Sequence, residues 1–326
     1  MITKPGDVGV LEVADRPTRE PGDGEARIAV KAAAVNPADF LMRRQGAGPD
    51  FPPPWTPGMD AAGEVESVGS GVDRLRVGEQ VMAAVSPFRR EGGAQQELLV
   101  VPQASVVAVP DGTSLAQAST LPMNGLTAMG GLDLLDLQAG DTLAVAGGAG
   151  LLASYVIGIA STRGIRVIAD AKPENEVLVK SFGADEVVPR SASFGTAVRA
   201  VVPEGVDAVF DTALIYRDAF PAIRDAGGLL VVRGWDADKT IAPLHEVEER
   251  GIRVHAFRVG QVLTRTDWLE TLRSLASAKR LMLRVAREFP LEKVAEAERL
   301  TEAGSLNGRA VIVMDSPNNG GRPDVP

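Results

Sequence analysis

Residues 141–160 have the sequence DTLAVAGGAGLLASYVIGIA, and this stretch decides the fold class of half the chain. A short run of β-forming residues (TLAVA, 142–146) leads into a glycine-rich turn and then into an apolar segment of helical length. Gly148, Gly150 and Ala153 match G-x-G-x-x-A, a variant of the dinucleotide-binding fingerprint. The first glycine permits a tight turn, the second lets the backbone approach a pyrophosphate, and the alanine keeps the helix close to the sheet.

Further strands alternate with helix-length segments after this turn. Apolar strands joined by helices are typical of a parallel, doubly wound sheet with both faces buried. This context favours nucleotide binding over the alternative of a purely structural turn. The predicted strands are RVIAD (166–170), DEVVP (185–189), DAVFD (207–211), GLLVVRG (228–234) and IRVHAFRVG (252–260), and the predicted helices lie in 151–164, 173–183 and 194–202.

The N-terminal part of the chain has a different rhythm, with short apolar runs separated by Gly and Pro. Such spacing predicts a sheet or barrel. The segment FPPPWTPG (51–58) is predicted to be a loop because its prolines remove backbone donors. Residues 263–326 add two helices and a strand, so we predict one domain from 1–119 with 263–326, interrupted by a nucleotide-binding domain at 120–262.

Composition excludes several classes of function. The chain has 326 residues, enough for two domains, and a net charge of −9, which disfavours nucleic acid and anionic lipid as partners. It has no cysteine, so disulfides, thiolate nucleophiles and cysteine-ligated zinc are excluded. No signal-like segment or apolar stretch of about 20 residues occurs, and we therefore expect a cytoplasmic protein.

The end of the second strand of the nucleotide-binding domain bears on the choice of nucleotide. An acidic residue there binds the ribose hydroxyls of NAD, whereas basic or small residues accommodate the 2′-phosphate of NADP. Asp170 favours the first and Lys172 the second. The remaining alternative is that both residues lie in a solvated loop and contact no nucleotide. Composition alone does not decide among NAD, NADP and this third alternative.

Several other motifs occur along the chain in the same order as in a known family. The chain resembles the zinc-free branch of the medium-chain dehydrogenase/reductase superfamily, the quinone oxidoreductase and enoyl reductase group, over nearly its whole length. The resemblance implies a chaperonin-like β-barrel catalytic domain, a Rossmann domain and NAD(P)H in the cleft between them. Its motifs are AVNPADFLMRRQG (34–46), TPGMDAAGEVESVGSGV (56–72), GEQVMAA (78–84), LPMNGLTAM (121–129), VIADAKPENEVLVKSFGADEVV (167–188), DAGGLLVVRG (225–234) and FPLEKVAEAERLTEAGSLNGRAVIV (289–313).

The resemblance also indicates that the chain uses no metal. Zinc-dependent relatives have Gly-His-Glu where this chain has Gly58-Met59-Asp60, and Met59 does not replace an imidazole ligand.

The catalytic residues implied by the resemblance are Asn36, Asp39 and Arg43. The alternative for Asn36 is that it only caps a helix starting at Pro37. Many relatives have a tyrosine where this chain has Leu41, so a phenolic acid is missing at that place. Water is then the expected proton source, with Asp39 serving only if its pKa is raised.

The resemblance places two basic residues beside the 2′-phosphate, Lys172 and Arg190, while Asp170 lies one position before the acid of NAD-specific relatives. NADPH is therefore favoured over NADH. Relatives commonly have AAGGVG at the turn, and Leu151 and Ala153 replace two of those glycines. The other residues expected to line the cofactor are Thr127, Gly148, Gly150, Leu151, Leu152, Gly234 and Phe257, several of which have packing alternatives.

The sequence thus predicts an NADPH-dependent reductase that transfers hydride to an activated C=C bond or a quinone without zinc. Its substrate is expected to be small, apolar and conjugated, and the resemblance implies a homodimer. Two alternatives remain. The chain is a family member recruited to another step, such as alcohol oxidation or a non-redox cyclisation, or it is a nucleotide-binding redox sensor without turnover.

Overall fold

The computed structural model describes residues 1–89, 91–190, 193–232, 244–304 and 306–314, with the backbone alone at 244–246. These residues form two compact units. The first contains Met1–Met123, Leu263–Ser274 and the described residues from 283 onward, and the second contains Asn124–Val262 and Leu275–Met282.

The regular elements are numbered in chain order. The strands are β1 (Glu25–Ala34), β2 (Asp60–Val68), β3 (Gln80–Ala84), β4 (Leu98–Pro102), β5 (Val106–Ala108), β6 (Thr142–Ala146), β7 (Arg166–Ala171), β8 (Glu186–Pro189), β9 (Val206–Asp211), β10 (Ile223–Val231), β11 (Arg253–Ala256), β12 (Val285–Pro290) and β13 (Arg309–Val313). The helices are α1 (Pro37–Gln45), α2 (Leu115–Ala118), α3 (Pro122–Leu135), α4 (Leu151–Thr162), α5 (Glu176–Ser181), α6 (Phe194–Arg199), α7 (Leu244–Arg250), α8 (Thr266–Ser277) and α9 (Val294–Glu302).

The first unit is built on a seven-stranded sheet in the order β12-β13-β1-β2-β3-β5, with β4 also paired to β1. The long strand β1 organises this sheet because its first half pairs with β4 and its second half with β13, while β2 pairs along nearly all of it. Alternate β1 residues, among them Ala26, Ile28 and Val30, enter the apolar core. The β-rich domain was predicted from short apolar runs separated by Gly and Pro, and the run at 25–35 contains this strand.

The second unit contains a six-stranded sheet in the order β11-β10-β9-β6-β7-β8, with every neighbouring pair parallel. This is the strand order of a doubly wound dinucleotide-binding sheet, so the predicted Rossmann fold is confirmed. The order reverses between β6 and β9, which lie side by side although they are far apart in the chain. Ligands of such sheets bind where the order reverses, outside the carboxyl ends of the strands.

The apolar run at 142–146 forms β6 within the predicted bounds, and four of its five residues are buried. The following helix α4 is buried on nearly all sides. Within the second unit Gly158 lies against residues of 275–282, since an added Cβ would be 2.9 Å from the carbonyl oxygen of Arg280. This close contact explains why 275–282 groups with the second unit, although our boundary at 263 assigned it to the first.

The sequence patterns missed one strand of the first unit. Strand β12 pairs in parallel with β13 and has mostly exposed side chains, so it lacked the apolar signal used for the other strands. Among the described residues, none of the helices has both the length and the apolar character that crossing a membrane requires.

Candidate active site

The glycine-rich turn joins β6 to α4 at the point where the strand order reverses. Gly147 has a positive φ of 82°, and Gly150 is the N-cap residue of α4. Gly148 is required by close packing, because an added Cβ would be 2.7 Å from the carbonyl oxygen of Asp170. The first N–H groups of a helix have no acceptor within it and give its N-terminus a partial positive charge. The 12-residue α4 thus provides an anion-binding end.

The open side of this turn is at Gly150. The residue is exposed, and an added Cβ would have only the Gly147 carbonyl oxygen within 4 Å, at 3.2 Å. Leu151, which replaces a glycine of the relatives, is buried with 7% of its surface exposed, so its side chain does not cover the turn. Leu152 is partly buried. These features fit a dinucleotide, whose pyrophosphate needs close access to the backbone at the start of the helix.

The loop after β9 supports the turn from the other side. The Thr212 hydroxyl donates to the carbonyl of Ala146 at 2.6 Å, and an added Cβ at Gly147 would be 2.9 Å from that hydroxyl. The loop is shaped by the buried Asp211, whose carboxylate accepts the N–H groups of Ala213, Ile215 and Tyr216 at 2.8–3.1 Å. Burial raises the pKa of Asp211 despite these bonds.

The two basic residues predicted to contact a 2′-phosphate lie at one edge of the sheet. Strands β7 and β8 are paired up to Ala171 and Pro189, and Lys172 and Arg190 follow them directly. Both side chains are exposed. Arg190 is also tied to β7, because its N–H donates to the carbonyl of Ala171 at 2.8 Å. The structure therefore brings Lys172 and Arg190 to neighbouring strand ends, while their contact with a phosphate stays a prediction.

The remaining predicted cofactor residues are buried or lie outside the described residues. Thr127 is on α3 with 6% of its surface exposed. Phe257 follows β11 and its ring packs on α3, where an added Cβ at Gly130 would be 2.1 Å from the ring. This is the packing role considered as the alternative for Phe257. Gly234 lies outside the described residues.

In the first unit, the motif around Asn36 forms a buried polar network. The Asn36 side-chain nitrogen donates to Asp60 Oδ2 at 2.6 Å, and the Asn36 N–H donates to Asp39 Oδ2 at 2.8 Å. Asp39 Oδ1 accepts the N–H of Gly58 at 2.9 Å. Asp60 Oδ1 accepts the N–H of Met123, in the first turn of α3, at 2.6 Å. Asn36 is the N-cap residue of α1, as the capping alternative requires, and it also links two carboxylates.

Both carboxylates of this network have raised pKa values. Burial raises the pKa of Asp39 to about 8, against the opposing effect of the N–H bonds from Asn36 and Gly58. The nearby carboxylates of Glu298 and Asp60 raise it further. Burial raises the pKa of Asp60 to about 7, with Arg309 acting in the opposite direction. The cause in both cases is the cost of an ionised carboxylate away from water.

The raised pKa of Asp39 meets the condition set for a proton donor, but the side chain is not placed to pass a proton to a substrate. Only 1% of Asp39 is exposed, and Gln95 Nε2 lies 3.3 Å from its Oδ2, the oxygen that already accepts the Asn36 N–H. The carboxylate is thus surrounded by donors. Its geometry is that of an organising group for the Asn36 motif.

Arg43 is in a different environment from Asn36 and Asp39. Its Nε donates to Glu298 Oε2 at 2.6 Å, and its Nη atoms donate to the carbonyl of Gly6 and to Glu302. Arg43 and Glu298 are both fully buried. These contacts tie α1 to α9 and to the N-terminal segment. They favour a structural role, and the predicted catalytic role of Arg43 stays untested.

Sequence reasoning missed several members of these networks. Asp60 was considered only as a departure from the zinc-ligand triplet, although an acid at the start of a buried strand signals a required partner. Asp211 ends a predicted strand, which could have indicated its role in the next loop. Glu298 gave no local signal, because its partner Arg43 is 255 residues away.

The described residues contain no group of three or more His, Cys, Asp or Glu side chains that could hold a metal ion. Met59, at the position of a zinc-ligating histidine in relatives, is buried.

Comparisons with known proteins agree with this architecture. The family model described as "Alcohol dehydrogenase GroES-like domain" matches residues 22–111, and that described as "Zinc-binding dehydrogenase" matches residues 182–312. The chain is similar to the NADPH-dependent alkenal/one oxidoreductase of Arabidopsis thaliana chloroplasts, with 30% identity over 89% of this chain and 72% of the relative.

Two solved structures are also similar. One is an NAD-dependent alcohol dehydrogenase, with 27% identity, a TM-score of 0.84 and coverage of 96% of this chain and 98% of the other. The other is a mycobacterial quinone oxidoreductase, with 26% identity, a TM-score of 0.79 and the same coverage.

A GroES-like domain combined with a Rossmann domain defines a class of two-domain oxidoreductases. The chain belongs to the medium-chain dehydrogenase/reductase superfamily, as the sequence motifs predicted.

The raised pKa of Asp60 predicts a pH-dependent stability. The folded protein retains a proton that the unfolded chain releases above its ordinary pKa of 3.8, so the free energy of unfolding falls as pH rises from about 4 to about 7. We expect Asp60→Asn to reduce this decline by up to about 1.4 kcal/mol per pH unit in urea unfolding. Asp50→Asn, at an exposed position, is the control and should retain the wild-type slope. Parallel curves for Asp60→Asn and the wild type would contradict the assignment.

The buried Arg43 ion pair predicts a large difference between neighbouring arginines. Arg43→Met leaves Glu298 buried without its partner and should lower the free energy of unfolding by about 3–5 kcal/mol. Arg44→Met, the control, removes an exposed pair with Glu302 and should cost less than about 1 kcal/mol.

The double variant Arg43→Met/Glu298→Leu should recover part of the stability, because it removes both buried charges. It also tests catalysis by Arg43. Normal turnover per folded molecule in the double variant supports a structural role, whereas lost turnover with recovered stability supports a catalytic one.

Proposed function

We propose that the chain is an NADPH-dependent reductase that transfers hydride to an activated C=C bond or a quinone without zinc. The observation on which this depends is the open glycine-rich turn at the point where the strand order of the parallel sheet reverses. The reaction class is supported by the names of the similar proteins, an alkenal/one oxidoreductase and a quinone oxidoreductase.

The choice of NADPH is supported by the charges at the carboxyl edge of the sheet. Lys172 and Arg190 follow two paired strands and are exposed, so both are available to a dianionic 2′-phosphate. A charge-assisted hydrogen bond contributes about 1.5–3 kcal/mol. NADH lacks this phosphate, so either contact alone predicts at least about a tenfold preference for NADPH.

The bound cofactor would supply the hydride. The residues of the chain would bind the cofactor, orient it against the substrate and polarise the substrate. The N-terminus of α4 would hold the pyrophosphate, with Gly150 giving access to the backbone. Asn36 is fully buried, so it would support turnover by fixing the motif around it through its bonds to Asp39 and Asp60. Because Asp39 is enclosed by donors and Leu41 replaces a phenol, we propose that water delivers the proton that completes reduction of a C=C bond.

Zinc-independent chemistry is part of the proposal. The Gly58-Met59-Asp60 triplet offers no imidazole, and Asp60 already accepts hydrogen bonds on both oxygens. The substrate proposed is small, apolar and conjugated, and the functional assembly proposed is a homodimer acting in the cytoplasm.

The test uses two assays on the purified chain. In the first, a small enone or a benzoquinone is offered with NADPH or NADH. In the second, an alcohol is offered with the oxidised cofactor. We expect NADPH oxidation with an enone or quinone, no change after chelation, and a dissociation constant for NADPH at least about tenfold below that for NADH. Lys172→Ala and Arg190→Ala should each reduce that ratio. Turnover only with alcohols, equal affinity for both cofactors, or loss of activity on chelation would each reject the corresponding part of the proposal.

A catalytic role for Asn36 predicts an effect beyond stability. Asn36→Ala removes the donor to Asp60 Oδ2 and should cost about 1–3 kcal/mol of stability, because a buried carboxylate loses one of its two donors. Turnover per folded molecule should fall by about tenfold or more while the dissociation constant for NADPH is retained. Ser119→Ala, which removes a buried hydrogen bond to the Ala116 carbonyl, is the control and should affect stability alone. If Asn36→Ala also changes only stability, Asn36 is a capping and packing residue.

A further inference from the structure

Asp170 lies close in sequence to the position of a residue that binds a ribose, one residue before the acid of NAD-specific relatives. It lies at the carboxyl end of β7, in the strand after the glycine-rich turn. In doubly wound dinucleotide-binding folds, an acid about 20 residues after the glycines takes the ribose hydroxyls and favours NAD. By spacing alone, Asp170 would therefore oppose the proposed preference for NADPH.

The contacts of the Asp170 carboxylate show a different use. Oδ1 accepts the N–H of Gly147 at 2.5 Å and lies 3.3 Å from the N–H of Gly148, which also donates to the Asp170 carbonyl at 3.1 Å. The side chain is 9% exposed. Oδ1 is thus directed into the glycine-rich turn, where it accepts the N–H of Gly147.

The other oxygen of Asp170 faces Arg190. Oδ2 lies 3.5 Å from Arg190 Nε, and 46% of the arginine side chain is exposed. Contact through Nε leaves the edge formed by the two Nη groups, which can bind a phosphate through two parallel bonds. The carboxylate therefore has a partner on each oxygen, neither of which is a ribose.

We propose that Asp170 is a positioning residue that holds the glycine-rich turn in its cofactor-binding form and does not bind the ribose. The proposal rests on the proposed function, since it concerns the nicotinamide dinucleotide site of the same unit. In this proposal Arg190 and Lys172 distinguish NADPH from NADH at the ribose 2′-position. Asp170 is then no longer an argument for NAD.

The physical argument concerns the two N–H groups of the turn. Without the carboxylate, the Gly147 N–H loses its acceptor, whereas the Gly148 N–H keeps the Asp170 carbonyl. An unsatisfied donor in a partly buried position is unfavourable. The turn would then rearrange at Gly147, which has the conformational freedom of glycine. Both cofactors share the pyrophosphate, so rearrangement should weaken NADH and NADPH by the same factor. Loss of a ribose contact would instead weaken NADH selectively.

The first experiment needs no ligand. Hydrogen exchange of the peptide spanning the turn is compared among the wild type, Asp170→Asn and Asp170→Ala, using the full-length protein. Asn retains Oδ1 as an acceptor, whereas Ala does not. We expect exchange at Gly147 to be about tenfold or more faster in Asp170→Ala and close to the wild-type rate in Asp170→Asn. Equal protection from hydrogen exchange in all three proteins would overturn the proposal that Asp170 holds the glycine-rich turn.

The second experiment measures dissociation constants for NADH and NADPH by calorimetry on the same proteins. We expect Asp170→Ala to weaken both by about tenfold, the effect of one lost hydrogen-bond acceptor. Asp170→Asn should leave NADH within about twofold of the wild type. Arg190→Ala should weaken NADPH alone. A selective loss of NADH affinity in Asp170→Asn would show that Asp170 binds the ribose and would overturn the proposal.

Glu186→Gln is the matched control. Glu186 pairs with Arg166 across the same two strands, β7 and β8. This pair lies at the amino ends of the strands, whereas the glycine-rich turn lies at the carboxyl end of β7. The substitution removes an acid paired with an arginine without touching the turn, and both measurements should match the wild type. If the wild type binds neither cofactor, the proposed function fails, while the exchange experiment still decides whether Asp170 clamps the turn.

Discussion

The close approach of Gly148 to the carbonyl of Asp170 is the contact on which the nucleotide-binding unit depends. An added Cβ at Gly148 would lie 2.7 Å from that oxygen, so the turn and the end of β7 fit together only because glycine has no side chain. The approach brings the turn's N–H groups within reach of the Asp170 carboxylate. The same packing buries Leu151 and leaves Gly150 exposed. The helix N-terminus is thus exposed at Gly150, beside a turn that is packed closely against β7.

The first unit is organised by a different constraint, the burial of acids. Asp39, Asp60 and Glu298 are almost completely withdrawn from water. Glu298 is compensated by the guanidinium of Arg43. Asp39 and Asp60 are satisfied by backbone N–H groups and by Asn36, and hydrogen bonds of this kind only partly offset the loss of hydration. Their pKa values rise for that reason, and the network is most stable where one or both acids are protonated.

The fold could be predicted from the sequence largely because its signals are local. The strand at 142–146, the turn and α4 follow from apolar runs and glycines within 20 residues, and the order of the parallel sheet follows from the family pattern. Strand β12 was missed because its exposed side chains give no apolar periodicity. The predicted boundary at 263 puts 275–282 with the first unit, whereas contacts such as the one with Gly158 group this segment with the second unit. Sequence patterns do not show such contacts, because they join residues far apart in the chain.

The candidate sites were harder to predict, because residue type and spacing do not determine which partner a side chain takes. Arg43 is in a motif that suggests catalysis, yet a glutamate 255 residues away holds its guanidinium. Asp170 has the spacing of a ribose ligand, yet its nearest donors are the amides of the turn beside it. Oδ1 of Asp170 already accepts N–H groups of the turn and Oδ2 faces Arg190, so ribose hydroxyls would have to compete with the protein's own donors for this carboxylate. Competition from the protein's own donors therefore decides the role of an acid at a strand end, and that competition is visible only once the chain is folded.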